Sequence, residues 1–215
     1  MPPVRDEQEF EQKRLQIMEG AIEAFAQKGF ERATNKDIAK AAKIGSPGLI
    51  YHYFEDKFDI LRQAIEQVAP FLSRVFDNEQ ALFAMPPQQL LYQFPNSLLQ
   101  VWDKPLALAL FKVLLGEALR NEEIATLLRL RGPGLLFSFF YRYFQRQVEA
   151  GVFRPVEPAI AVRSFLGPLL AYVLTREVLR TPDIQTVSSE QMVNQAVEIF
   201  LRGVLADPEQ AKPQL

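Results

Sequence analysis

The stretch TNKDIAKAAKIGSPGLIYHYFEDK, residues 34–57, decides how the chain is read. Thr34 is followed three positions later by Asp37, the spacing of a capping box, in which a hydroxyl oxygen and a carboxylate each accept a backbone N–H at a helix start. A helix is therefore expected from Asn35, with Ile38, Ala39 and Ala42 as a small apolar inner face. It can last only about two turns, because Gly45, Pro47 and Gly48 interrupt the pattern. Ser46 and Pro47 then suit the N-cap and first position of another short helix, running through Ile50 and Tyr51 to about Tyr53. Two short helices joined by a tight turn, with small residues that allow close approach, make a helix-turn-helix candidate.

The second of these helices carries Tyr51, His52 and Tyr53 in succession. Adjacent α-helical positions point about 100° apart, so the three cannot all face a core. Phenol and imidazole groups hydrogen-bond phosphate oxygens, which is how a recognition helix is held in register on a duplex. Catalysis or metal binding at His52 finds no companion residues. His52 is the only histidine and there is no cysteine. Di-metal bundles, which need Glu-x-x-His twice, are excluded, as are disulfides and thiolate metal sites. No G-x-S-x-G elbow, Walker A run or G-x-G-x-x-G run is present. The expectation is a protein that is not an enzyme and has no metal site and no cofactor.

Outward from this stretch the chain reads as helix. Upstream, Ile17, Ala21, Ala24 and Phe25 lie on one helical face, and Gly29 is placed to end that helix. Ile38, Ile50, Phe54 and Phe25 fall on the core side by periodicity. Downstream of Lys57 a helix carries Ile60, Leu61, Ala64, Ile65 and Val68; Pro70 then interrupts a pattern that resumes at Phe71 and Leu72, predicting a kink. Residues 78–87 read as a linker. Further helices are expected at about 88–101, 104–120, 122–131, 135–150, 158–179 and 189–205, with Gly- or Pro-marked breaks between most of them. No alternating run is long enough for a sheet. The fold class expected is all-α, with a three-helix helix-turn-helix domain over residues 1–56 and a larger helical bundle over residues 57–215.

Composition sets the partners this fold can have. With 215 residues, 48% hydrophobic and 23% charged, the chain has an ordinary globular balance and enough length for a sizeable core. A net charge of −2 argues against coating DNA or acidic membranes without specificity. Locally the picture differs: residues 28–57 hold six bases against four acids, and residues 1–27 three bases against six acids. A mildly basic motif beside an acidic arm implies few phosphate contacts and weak non-specific binding. The charged N-terminal run does not read as a secretory signal. The longest uncharged stretch, Gln80 to Trp102, contains Pro86, Pro87 and Pro95 and makes a poor membrane span. A soluble, cytoplasmic protein with no membrane partner is expected.

Residues 13–61 resemble the N-terminal domain of the TetR family of bacterial transcriptional regulators, through the runs IMEGAIEAFAQKGFERATNKDIAKAA, SPGLIYHYF and DKFDIL. The run AAKIGSPG is one residue longer than the family's usual turn, as if Gly45 were inserted. The resemblance implies roles by position. Thr34 and Lys36 match positions that meet phosphates or a base edge. Ser46, Pro47, Gly48 and Leu49 match the end of the recognition helix that enters the major groove. Tyr51, His52 and Tyr53 match an aromatic cluster that contacts the DNA backbone and some bases. Lys57 matches a lysine that grips phosphate. Among these His52 ranks below Tyr51, Tyr53 and Lys57. Leu49 stands where many relatives carry Thr; it offers a thymine methyl an apolar contact but no hydrogen bond.

One short recognition helix covers little DNA, and a two-fold dimer reading two half-sites remedies this. The resemblance favours a four-helix dimer interface from the last two long helices. Their candidate residues are Val162, Phe165, Leu166, Leu169 and Val173 in one, and Val193, Val197, Phe200, Leu201 and Val204 in the other. The family's larger domain usually holds an effector pocket. Candidate walls are Trp102, Phe111, Phe137, Phe140, Tyr141 and Phe144, which suit an apolar or aromatic small molecule. The function expected is a ligand-responsive repressor, a homodimer on a palindromic operator of double-stranded DNA, with the Pro70 helix transmitting the ligand signal. The alternative is a DNA-binding protein of the same fold without a small-molecule effector, gated by a protein partner.

Overall fold

Each helix start foreseen between residues 34 and 57 is made by the side chain that the spacing selects. The structure, a computed structural model, describes residues 4–68, 70, 79–102 and 104–206. Helix α1 (Val4–Lys28) ends at Gly29, which takes φ +81° and donates its N–H to Phe25 O at 2.8 Å. Helix α2 (Asn35–Ala41) begins with the capping box: Thr34 Oγ1 accepts from Asp37 N at 3.3 Å, and Thr34 N donates to Asp37 Oδ2 at 3.0 Å. Lys28 adds an ion pair to the same carboxylate. The exit from α2 is a Schellman motif, with Ile44 N donating to Ala39 O at 3.0 Å and Lys43 N to Lys40 O at 3.2 Å. The left-handed residue this motif needs is Lys43, at φ +52°. Gly45 lies beyond it, exposed, with open space where a Cβ would stand.

The next element differs from the α-helix expected there. Pro47–His52 is a 3-10 helix, with Leu49 N donating to Ser46 O at 3.1 Å and Tyr53 N to Ile50 O at 3.0 Å. Ser46 caps it by accepting from Gly48 N at 3.2 Å. A six-residue piece that begins with Pro and Gly has too few turns to favour i to i+4 bonding, and 3-10 geometry is the form short pieces take. Helix α3 (Lys57–Val68) follows, its first turn held by Asp56 Oδ1 accepting from Asp59 N at 2.7 Å.

By contact density the chain divides into two compact units. The first comprises Met1–Pro70 and Lys104–Gly132, so it takes in α3, α6 (Pro105–Ala118) and α7 (Glu122–Arg131) as well as the helix-turn-helix. Its core is Ile17, Met18, Ile22 and Phe25 of α1 with Ile38, Ile50, Phe54 and Ile60, all essentially buried. Helix α6 packs on α1 and α3, and α7 on α3. Residue 57, the expected domain boundary, therefore lies inside a packed unit, because α3 shares a core with α1.

The second unit comprises Phe71–Asp103 and Pro133–Leu215. It contains α4 (Glu79–Phe83), α5 (Pro87–Val101), α8 (Pro133–Glu149), α9 (Pro158–Val173), α10 (Pro182–Gln185) and α11 (Ser189–Val204); α9 continues into a π-helical stretch, Leu174–Leu179. Its centre is a cluster of rings: Phe140 lies 4.9 Å from Phe165, and Phe144 lies 5.3 Å from Phe200 and 5.6 Å from Phe153, between ring centroids. Tyr143 OH donates to Met85 O at 2.8 Å, and burial pushes its pKa up to about 12. Helix α4 falls where a linker was expected, while residues 71–78, where the pattern was to resume after a kink at Pro70, lie outside the described residues. The segment Pro158–Leu179 is long and apolar enough to cross a membrane by length and composition, and its inner stripe packs against α8 and α11.

Gly20, in the middle of α1, lies against the end of α2. A Cβ there would stand 2.4 Å from Ala42 N and 2.6 Å from Ala42 Cα. Gly20→Ala therefore forces α1 and the end of α2 apart. A net destabilisation of about 1–3 kcal/mol is expected, although alanine alone would favour the helix. A melting temperature equal to or above wild type would show that the two helices are not in such contact.

The capping box titrates. Its bonds from Lys28, then from the Thr34 side chain and backbone, hold the Asp37 carboxyl well below the usual carboxylate range. A depressed folded pKa means stability that is complete above about pH 4 and fades as pH falls below it. Asp37→Asn should be less stable than wild type at neutral pH, with the two converging in acid. Denaturant titrations across that pH series check this, and a pH-independent gap would reject it.

Candidate nucleic-acid interface

A 3-10 helix repeats every three residues, so positions i and i+3 share a face. This sorts the reading helix into three rows. Pro47, Ile50 and Tyr53 form the inward row: Ile50 is 1% exposed, and the half-buried Tyr53 ring lies 4.6 Å from that of Phe10 in α1. Gly48 and Tyr51 form a second row, and Leu49 and His52 a third. Tyr51 is 65% exposed and His52 is exposed, its ring edge-on to Tyr53 at 5.7 Å. Phe54, buried just past the end, closes the element. Burial of Ile50 and Phe54 contributes about 1.5–3 kcal/mol each, which stakes the helix down with Tyr51 and His52 outward.

Helix α2 supplies charge beside it. Lys36 and Lys40 are exposed and four apart, hence on one face, and Lys43 is exposed in the turn. Lys40 and Lys43 were not among the site residues expected from sequence, although the Lys36-x3-Lys40 spacing is a readable signal. Thr34 is exposed, but its hydroxyl donates to Asp37 Oδ2 at 2.7 Å while accepting from Asp37 N, so it is committed to the cap. Ser46 and Gly48 are exposed, while Pro47 and Leu49 are half-buried.

Lys57 points the other way. Its Nζ donates to the carbonyls of Phe30 at 2.8 Å, Glu31 at 3.2 Å and Ala33 at 3.0 Å, and stands 5.0 Å from the centroid of the Phe30 ring. An ammonium has three N–H donors, and all three are occupied by backbone. In the structure His52 faces outward, whereas Tyr53 and Lys57, ranked above it from sequence, turn toward the protein. For the reading helix the reason is a rotation of about 120° per residue in place of about 100°. The Phe10–Tyr53 contact had no sequence signal, since it joins residues far apart in the chain.

The other candidate residues fall as follows. All ten expected at a dimer interface, Val162, Phe165, Leu166, Leu169, Val173, Val193, Val197, Phe200, Leu201 and Val204, are largely buried within their own chain; Phe200 and Val204 also line a cleft between α9 and α11. Periodicity marks a stripe as apolar without saying which body covers it, and here the chain itself does. Of the six candidate pocket walls, Phe140 and Phe144 are fully buried in the ring cluster. Phe137 and Tyr141 line an open cleft of about 440 Å³ with Ser138, Arg142 and Arg163. Trp102 is half-buried where α5 ends, and Phe111 is half-buried on α6 in the first unit.

Comparison with known proteins bears on the family. Residues 17–64 match the family described as bacterial regulatory proteins, tetR family, and residues 89–203 match the AefR-like transcriptional repressor C-terminal domain. The HTH-type transcriptional regulator YfiR of Bacillus subtilis is 30% identical over 168 residues, spanning 77% of this chain and 80% of YfiR. Among solved structures, FadR of Bacillus subtilis in complex with stearoyl-CoA superposes with a TM-score of 0.66 at 19% identity, covering 88% of this chain and 98% of that one. PfmR of Thermus thermophilus gives 0.62 at 26% identity, covering 86% and 97%. With matched regions spanning both the head and most of the remaining helices, the chain belongs to the TetR family of bacterial transcriptional regulators, and its helix-turn-helix is a DNA-binding element.

Proposed function

We propose that this regulator is a ligand-responsive repressor acting in the cytoplasm as a homodimer on a palindromic operator. The observation that carries the reading is the outward pair Tyr51 and His52 on a helix anchored by Ile50 and Phe54, flanked by Lys36, Lys40 and Lys43. Tyr51, His52 and the backbone at Gly48 approach base edges and phosphates in the major groove, and the lysines meet flanking phosphates. Lys57 acts within the protein, holding the turn before α2. Repression is supported by the repressor family matched at residues 89–203. An apolar or aromatic effector is supported by the ring-rich second unit and by the stearoyl-CoA held by the Bacillus subtilis FadR structure. The ligand would favour a conformation with the two heads wrongly spaced for DNA, releasing the operator.

The homodimer is built from the outward stripes of α9 and α11. Ile160 and Ile199 are 61% and 72% exposed, and a cleft of about 490 Å³ runs between the helices past Ser164, Pro168, Met192 and Ala196. Gly167 and Gly203 lie exposed on these helices, each with open space where a Cβ would stand. A glycine inside an exposed helix costs about 1 kcal/mol relative to alanine, and the chain's own packing does not require it. Residues 160, 164, 167 and 171 on α9, and 192, 196, 199 and 203 on α11, keep the same four-three-four spacing. Three large apolar side chains, Ile160, Met192 and Ile199, and two glycine gaps on paired stripes suit a second copy of the same surface.

Selection from random duplexes tests the DNA reading and reports half-site spacing, and release of the selected duplex by apolar ligands tests the effector. Lys36→Ala should lower the salt slope of binding by about 0.9 per subunit, or about 1.8 for the dimer. Lys57→Ala should leave that slope unchanged and lower the melting temperature. A reduced slope in Lys57→Ala would return that residue to the DNA surface. Tyr51→Ala should weaken the selected duplex by about 1–3 kcal/mol.

Ile199→Glu should yield a folded monomer by analytical ultracentrifugation, with operator binding largely lost. A dimer of unchanged stability would move the interface elsewhere.

A further inference from the structure

Among the described residues two polar side chains are buried, Gln147 and Glu117. Glu117 lies on α6, away from the reading helix in sequence, and is 9% exposed. Burying a carboxylate is costly unless it is hydrogen-bonded. Its hydrogen-bond donor is backbone at the end of α1: Phe30 N donates to Glu117 Oε1 at 3.0 Å, while the exposed Arg120 guanidinium stands 3.9 Å from the same oxygen. In a Schellman ending the N–H after the glycine turns back to its own helix; here it leaves α1 and goes to α6. Gly29 makes room, since a Cβ there would stand 3.2 Å from Glu117 Oε1. One turn further along the chain from Glu117, Asn121 Nδ2 donates to Glu31 Oε1 at 2.7 Å.

The same short segment is held from its other side by Lys57, which takes the carbonyls of Phe30, Glu31 and Ala33. The next residue is Thr34, which caps α2. Thus α6 and the residues just past it hold a donor and a side chain of the segment that launches the helix-turn-helix, while α3 holds its acceptors.

We infer that Glu117, assisted by Asn121, is a positioning residue for DNA reading: it sets where α2 begins, and through α2 the attitude of Tyr51 and His52. It touches no DNA itself. This rests on the reading of Tyr51 and His52 as the DNA-facing pair. Specific binding needs that attitude, whereas non-specific phosphate contact from exposed lysines tolerates its loss.

The test begins with a duplex selected from a random pool by the wild-type protein, compared with a scrambled duplex of equal length at fixed salt. Glu117→Leu should weaken the selected duplex about tenfold and the scrambled one less than about twofold, and Glu117→Gln, which keeps an oxygen acceptor, should recover most of the loss. Hydrogen exchange at the Phe30 amide should quicken in Glu117→Leu and stay near wild type in Glu117→Gln. Should the leucine variant fail to fold, Asn121→Ala carries the same comparison with a loss of about threefold on the selected duplex. Equal weakening of both duplexes, or of neither, overturns the assignment. A wild-type protein that selects no duplex faults the DNA reading instead, so the two failures are distinct.

Discussion

Two buried side chains, Ile50 and Phe54, hold the element on which the protein's DNA contact depends. The reading helix is six residues long, too short to persist through its own hydrogen bonds. Its stability comes from the core it enters, and its orientation from which of its three rows enters. Because Ile50 faces inward, Tyr53 must follow it three residues later, and Tyr51 and His52 are left outside. A helix of 3.6 residues per turn would have divided the same six residues differently.

The segment just ahead of α2 is where charge is used for structure. Lys57 commits its three donors to backbone carbonyls, Lys28 pairs with Asp37, and Glu117 accepts an amide from inside the unit. Counted from sequence, residues 28–57 are mildly basic. Once these internal uses are removed, the exposed cations on α2 and its turn are Lys36, Lys40 and Lys43. This is a sparse positive surface beside an acidic arm, and sparse charge favours selectivity over tight general attachment.

The second unit divides the work of its helices by face. The inward stripes of α8, α9 and α11 meet in interlocked rings, where Phe140, Phe144, Phe165 and Phe200 touch. The outward stripes of α9 and α11 carry small residues with isolated large apolar ones, a texture an interior does not need. The two faces of these helices therefore carry different side chains.

Much of the fold was legible because its signals are local. Thr34 and Asp37 cap α2 as their spacing required, Gly29 ends α1, and α5 to α9 and α11 begin and end within a few residues of their Gly, Pro and Ser markers. Such signals act between near neighbours, so a single sequence contains both partners. The family resemblance likewise rested on a contiguous stretch. What the sequence could not decide was any contact between distant positions: that Gly20 must lack a side chain because Ala42 lies against it, that Phe10 covers Tyr53, that Lys57 turns inward, and that Glu117 reaches Phe30. The same limit applies to the apolar stripes of α9 and α11, since hydrophobic periodicity identifies a face without naming what covers it. The sequence alone determined the helices, their caps and the family; the tertiary structure decided which side of each helix is free, because that depends on packing between segments far apart in the chain.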